Sequence, residues 1–92
     1  SGLAMYVYRK NGISIPRVAR SQYMKGKKVS LRRLKPGDLV FFQTSSRRFS
    51  HVGIYIGAWK FLHAPRPGKR VSYASIKNRY WIKRYRGSVS YL

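Results

Sequence analysis

One carboxylate, Asp38, stands against 21 lysines and arginines in this 92-residue chain, for a formal net charge of +20. Salt bridges therefore cannot hold the fold, and like-charge repulsion opposes compaction. Structure has to come from apolar burial and backbone hydrogen bonding. The material is present: 43% of residues are apolar and 15% aromatic, above the range in which charged chains stay disordered. The length argues for one small domain, residues 1–92, that buries roughly 60–65% of the surface its unfolded chain exposes. With no cysteine in the sequence, disulfides and thiolate metal sites are excluded. No apolar run approaches the roughly 18–20 residues of a membrane-spanning helix, and no signal-peptide pattern is visible.

Such a charge concentrates polyanions around the chain. Nucleic acid, anionic wall polymers and anionic lipid head groups all qualify. Composition alone favours an RNA binder of ribosomal type. The order and spacing of residues point elsewhere.

Apolar residues Leu3, Ala4, Val7 and Tyr8 recur at helical spacing, and Asn11-Gly12 is a stop, so a helix is expected over 1–10. A second, short helix is expected over 18–24. Lys35-Pro36-Gly37-Asp38 reads as a turn that Asp38 organises. Strands are expected over 39–43, 50–57, 60–64, 70–73 and 82–91, with a turn over 65–68 and a helical turn over 76–81. In the strand over 50–57, Val52, Ile54 and Ile56 face one way and His51, Gly53 and Tyr55 the other. Helix first and an antiparallel meander after it make an α+β domain.

The only two histidines fall on neighbouring expected strands. His51 follows Ser50 in a Ser-His-Val-Gly run, and His63 follows Phe61-Leu62. Two half-exposed sheet histidines are the plain reading. The alternative is a general base with room above it, because Gly53 puts no side chain on that face. Register decides whether the two imidazoles can meet. A two-residue turn at Ala58-Trp59 would put them on opposite faces. A three-residue loop, or a bulge with the same effect on parity, would put both on one face with Gly53 opposite His63.

The series Ser1-Gly2-Leu3, Tyr6-Val7-Tyr8, Gly12-Ile13, Ile15-Pro16-Arg17, Leu34-Lys35-Pro36-Gly37-Asp38-Leu39-Val40-Phe41-Phe42, the two histidine strands, Tyr80-Trp81 and Arg84-Tyr85 resembles the NlpC-type cell-wall peptidases along nearly its whole length. The resemblance implies a papain-like fold with a helix packed on an antiparallel sheet. It also implies a Cys-His-polar site. In that family the cysteine opens the helix in an Asp-Cys-Ser-Gly-Leu type motif. Ser1 matches the serine, so the cysteine would be the residue before it, and the chain is expected to be an N-terminally truncated domain. An inactive relative, or Ser1 acting through its free α-amino group, are the other options. By the same match His51 is the general base and His63 the polar residue that orients it. The implied activity is hydrolysis of amide bonds in peptidoglycan stem peptides, in the cell envelope. Without the thiol, this chain is expected to be inactive.

Other residues have structural readings. Tyr6, Tyr8, Trp59, Tyr80 and Trp81 read as core or cleft packing. The clusters Lys25-Lys27-Lys28, Arg32-Arg33, Arg47-Arg48 and Lys83-Arg84-Arg86 read as solvated surface. Two histidines and one distant aspartate make a poor metal-ligand set, and no cofactor is expected. The rival function is a basic binding protein without chemistry, attached to anionic wall polymers or nucleic acid. No specific nucleic-acid site is expected.

Overall fold

Four consecutive residues, Leu39, Val40, Phe41 and Phe42, are fully buried, although side chains alternate faces along a strand. Their strand must therefore be covered on both sides. The computed structural model describes residues 2–64 and 69–92. Ser1, the first residue of the expected helix, and the turn expected over 65–68 lie outside the described residues.

Helix α1 (Gly2–Lys10) and helix α2 (Ala19–Lys25) come first. A two-residue strand β1 (Lys27–Lys28) and a 3-10 turn (Leu31–Arg33) follow; neither was expected. Then come β2 (Leu39–Phe42), β3 (His51–Gly57), β4 (Lys60–His63), β5 (Ser72–Ser75), α3 (Arg79–Arg84) and β6 (Tyr85–Ser90). The sheet is antiparallel in the order β1-β6-β2-β3-β4-β5. Only β2 to β5 form the expected meander. The last strand returns to pair with β2, which makes β2 central.

Two cores result. Ala4 and Tyr8 of α1 pack with Ile15, Leu39, Phe41, Val52, Ile54 and Val89 on one face. Val40, Phe42, Tyr55, Phe61 and Ile76 fill the other, with Trp81 and Tyr85 against them. Asp38 organises its turn as expected: its Oδ2 accepts the Lys35 backbone N–H at 2.9 Å.

The third helix lies later than the helical turn expected over 76–81. Ile76 is buried, and its N–H donates to the Trp59 carbonyl at 2.7 Å. Asn78 then caps the helix, with its Oδ1 accepting from Tyr80 N at 2.8 Å. Strand β5 accordingly ends at Ser75, two residues beyond the expected end, and β6 starts three residues late. Tyr6 and Tyr80 are 61% and 47% exposed, so neither is a core residue.

Candidate active site

The β3–β4 hairpin carries both histidines, and its turn sets their register. Ala58 and Trp59 both have positive φ, 54° and 64°, the conformation of a two-residue type I′ hairpin turn. That turn alone would separate the histidines. A bulge restores parity: Gly57 pairs with Lys60, but Tyr55 pairs with Phe61 and Ile54 with Leu62, leaving Ile56 as the extra residue. Ile56 is 39% exposed and does not join Val52 and Ile54 in the core. The same register carried one step further sets Gly53 across from His63.

His51 and His63 consequently share a face. His51 Nε2 and His63 Nδ1 are 2.8 Å apart, a hydrogen bond between the rings. The imidazoles meet edge to face, with centroids 5.0 Å apart. The space over Gly53 is not open, contrary to expectation. The Phe61 ring fills it, and a Cβ at residue 53 would overlap that ring. Glycine is needed here for the approach of Phe61, which in turn packs on His63 at 4.8 Å.

Trp81 of α3 completes the site. Its indole stacks on His51 at 5.2 Å with an interplanar angle of 25°, and meets His63 edge to face at 5.2 Å. Phe42 and Phe61 support it from below, at 4.9 and 5.3 Å. Burial among these rings, and then the neighbouring His63, lowers the His51 pKa to about 4. Burial lowers that of His63 as well. Both imidazoles are thus neutral at neutral pH.

In a neutral pair, one ring nitrogen donates and the other accepts. If His51 donates from Nε2, its Nδ1 keeps a lone pair, and that atom has no protein partner among the described residues. A ring so held can take a proton at Nδ1, and the charge that forms is stabilised through Nε2–H by His63. The arrangement suits a base and its orienting residue. Among the described residues, no group of three potential ligands could hold a metal ion.

Both histidines singled out in the sequence are brought together. Ser1 lies outside the described residues. Trp81 was read only as packing, since nothing in local spacing ties residue 81 to residue 51. The one available signal was a tryptophan next to Tyr80 in a short helix.

Comparisons with known proteins place the sequence and the fold in one family. A model of the NlpC/P60 family matches residues 1–90. The chain is 40% identical over 92 residues to the murein DD-endopeptidase MepH of Escherichia coli K12, covering 96% of this chain and 34% of that protein. It is 43% identical over 83 residues to the probable endopeptidase p60 of Listeria innocua, covering 90% of this chain and 17% of that protein. A solved structure of an NLP/P60-family protein similar to lipoprotein, from Staphylococcus aureus, superposes with a TM-score of 0.86 at 37% identity. It covers 97% of this chain and 30% of that one. The chain therefore spans about a third or less of the length of these relatives. Among the described residues, no helix is long and apolar enough to cross a membrane.

Proposed function

The chain belongs to the NlpC/P60 family, and from that premise we propose that it is the histidine-bearing part of a cysteine endopeptidase domain that hydrolyses amide bonds in peptidoglycan stem peptides. The observation that carries the proposal is the 2.8 Å hydrogen bond from His51 to His63. His51 is the general base and His63 orients it. The nucleophile is a cysteine in the position before Ser1, by the match of Ser1-Gly2-Leu3 to the family motif. The bond cleaved is that between D-glutamate and diaminopimelate or lysine, as in the family the motifs resemble. The place of action is the cell envelope.

The chemistry follows from the free nitrogen of His51. A cysteine at a helix N-terminus has a lowered pKa, because unpaired N–H groups favour the thiolate. His51 Nδ1 takes the thiol proton, and the thiolate attacks the carbonyl carbon. The imidazolium then gives that proton to the leaving amine as the C–N bond breaks. Water, deprotonated by the same nitrogen, hydrolyses the thioester and regenerates the thiol. Backbone N–H groups at the helix start stabilise the oxyanion.

The test is to extend the chain with Asp-Cys before Ser1 and incubate it with purified peptidoglycan. Released muropeptides are expected from the extended chain, and none from the 92-residue chain. His51→Ala in the extended chain should lower the rate by about 10³-fold or more. Robust release by the unextended chain would overturn the assignment of the nucleophile. Binding without release by the extended chain would favour the second reading, a basic binding protein, which rests on the net charge of +20.

A further inference from the structure

The cluster Lys83-Arg84-Arg86 reads in the sequence as solvated surface, like the other basic clusters. The structure treats it differently. Strand β6 is bulged where it pairs with β2: Phe41 faces Gly87, Phe42 faces Tyr85, and Arg86 is the extra residue. The bulge depends on Gly87, whose φ is +147° and whose missing Cβ would lie 2.6 Å from the Tyr23 ring. Bulges of this kind re-aim a side chain. Here Arg86 turns to the β2–β3 loop and donates from Nε to Gln43 Oε1 at 3.0 Å. Its Nη1 donates to the carbonyls of Lys83 and Tyr85 at 3.2 and 3.0 Å. Arg84 is also held. Its Nη1 donates to the Tyr80 carbonyl at 2.8 Å, and its guanidinium lies 3.7 Å from the Tyr80 ring centroid.

Between these side chains lies an open recess of about 510 Å³, lined by Gln43, Thr44, Ser45, Lys83, Arg84 and Arg86. No carboxylate faces it, since the one acid, Asp38, is buried in its own turn. Lys83 and Arg84 also complement the C-terminal end of α3. That accounts for their sign, but not for Arg86, which lies beyond the helix and is pinned through Gln43. Lys28 makes the contrast, because three carbonyls, those of Tyr23, Met24 and Gly26, face the three donors of its ammonium.

We propose that this bulge builds a cradle for the phosphodiester groups of a polyol-phosphate polymer, separate from the histidine site. Held guanidiniums bind phosphate oxygens with little ordering left to do, and the threonine and serine hydroxyls add donors. Three cations across an open recess match charges repeated along a flexible chain. Nucleic acid fits less well, because single strands are gripped by aromatic stacking as well as by charge. Among the described residues no aromatic ring lines the recess, and the Tyr80 ring already carries Arg84 on its face. The cradle starts one residue beyond Phe42, which pairs with His51 on one side and Tyr85 on the other. A bound polymer would lie at the histidine end of the sheet.

The experiment compares two pairs of substitutions with the same net charge. A labelled short glycerol-phosphate oligomer is titrated with the 92-residue chain, with Lys83→Gln/Arg84→Gln, and with Arg9→Gln/Lys10→Gln on α1. The cradle pair should weaken binding about ten-fold at 0.1 M salt and flatten the log–log salt dependence by about 1.4, as two lost contacts require. The α1 pair should change affinity less than about two-fold, because screening confines exposed charges to about 10 Å at that salt. Gln43→Leu, which removes the hydrogen bond at Arg86 Nε and keeps the charge, should cost about three-fold, the loss of about one contact. Equal losses from the two pairs would overturn the cradle in favour of a diffuse field. Single-stranded DNA of the same phosphate number should be bound more weakly and be less sensitive to the cradle pair. If DNA binding falls as far as oligomer binding does, the polyol-phosphate assignment fails and nucleic acid replaces it.

Discussion

The two faces of the sheet are built from the same strands and do different work. Under α1, Leu39, Phe41, Val52, Ile54 and Val89 make a mostly aliphatic core. Under α3, Phe42, Tyr55, Phe61 and Trp81 make an aromatic one, and the histidines stand at its end. Aliphatic side chains fill space and leave nothing polar to satisfy. Flat rings do the same while fixing the plane of a neighbouring imidazole. A face that holds a base needs the second kind of packing. With 21 cations and one acid, neither face can lean on ion pairs.

Breaking the aliphatic face should have the largest effect. Phe41 has no exposure and packs edge to face on Tyr23 and Phe49. Phe41→Ala should cost about 3–5 kcal/mol, a large share of a small domain's stability. Urea denaturation measures it, and a loss under about 1 kcal/mol would show that this core is not what holds the sheet.

A smaller and more pointed effect is expected at Gly53, on the histidine face. A methyl group there meets the Phe61 ring, and the Leu62 carbonyl oxygen at 3.2 Å. Gly53→Ala should cost about 1–3 kcal/mol by overpacking and push Phe61 away from His63. Thermal denaturation reads the first, and loss of the proton contact between the two imidazoles in NMR spectra reads the second. A variant of wild-type stability with that contact intact would mean that Phe61 does not set the histidine geometry.

The effect most specific to the site is expected from Trp81, and it is read as a pKa and not as a stability. His51 titrates at about 4 because of burial first and His63 second. Trp81→Ala uncovers the ring, so its pKa should rise toward 6.5, while Trp81→Phe should keep most of the depression. NMR titration of the 92-residue chain distinguishes them; an unmoved His51 in Trp81→Ala would show that the indole is mere filling. The sign also fixes a pH dependence. The unfolded chain takes up protons near pH 6.5 that the folded imidazoles refuse, so stability falls as pH drops from about 6.5 to about 4. Melting temperatures at pH 7.5 and 4.5 should show the fall, and His51→Asn should reduce it.

What the sequence by itself determined was local or periodic. Helical spacing of Leu3, Ala4, Val7 and Tyr8, the Lys35–Asp38 turn and the alternation around His51 are set by neighbours a few residues apart, and α1, the turn and β3 are where that pattern puts them. The two histidines were legible as a pair because they fall on adjacent strands, and the odd parity they need was legible too. How parity is achieved was not. The bulge at Ile56 and the positive φ of Ala58 and Trp59 arise when two strands twist together over a shared core. The same holds for Trp81 over His51, Phe61 over Gly53, and Arg86 turned to Gln43. Phe61 reaches Gly53 through the bulged β3–β4 pairing, while Trp81 and Arg86 meet residues far away in the chain once β6 has come back to pair with β2. A one-dimensional pattern carries the period of an element. It does not carry the contacts that close between elements, because these depend on the packing of all the layers at once.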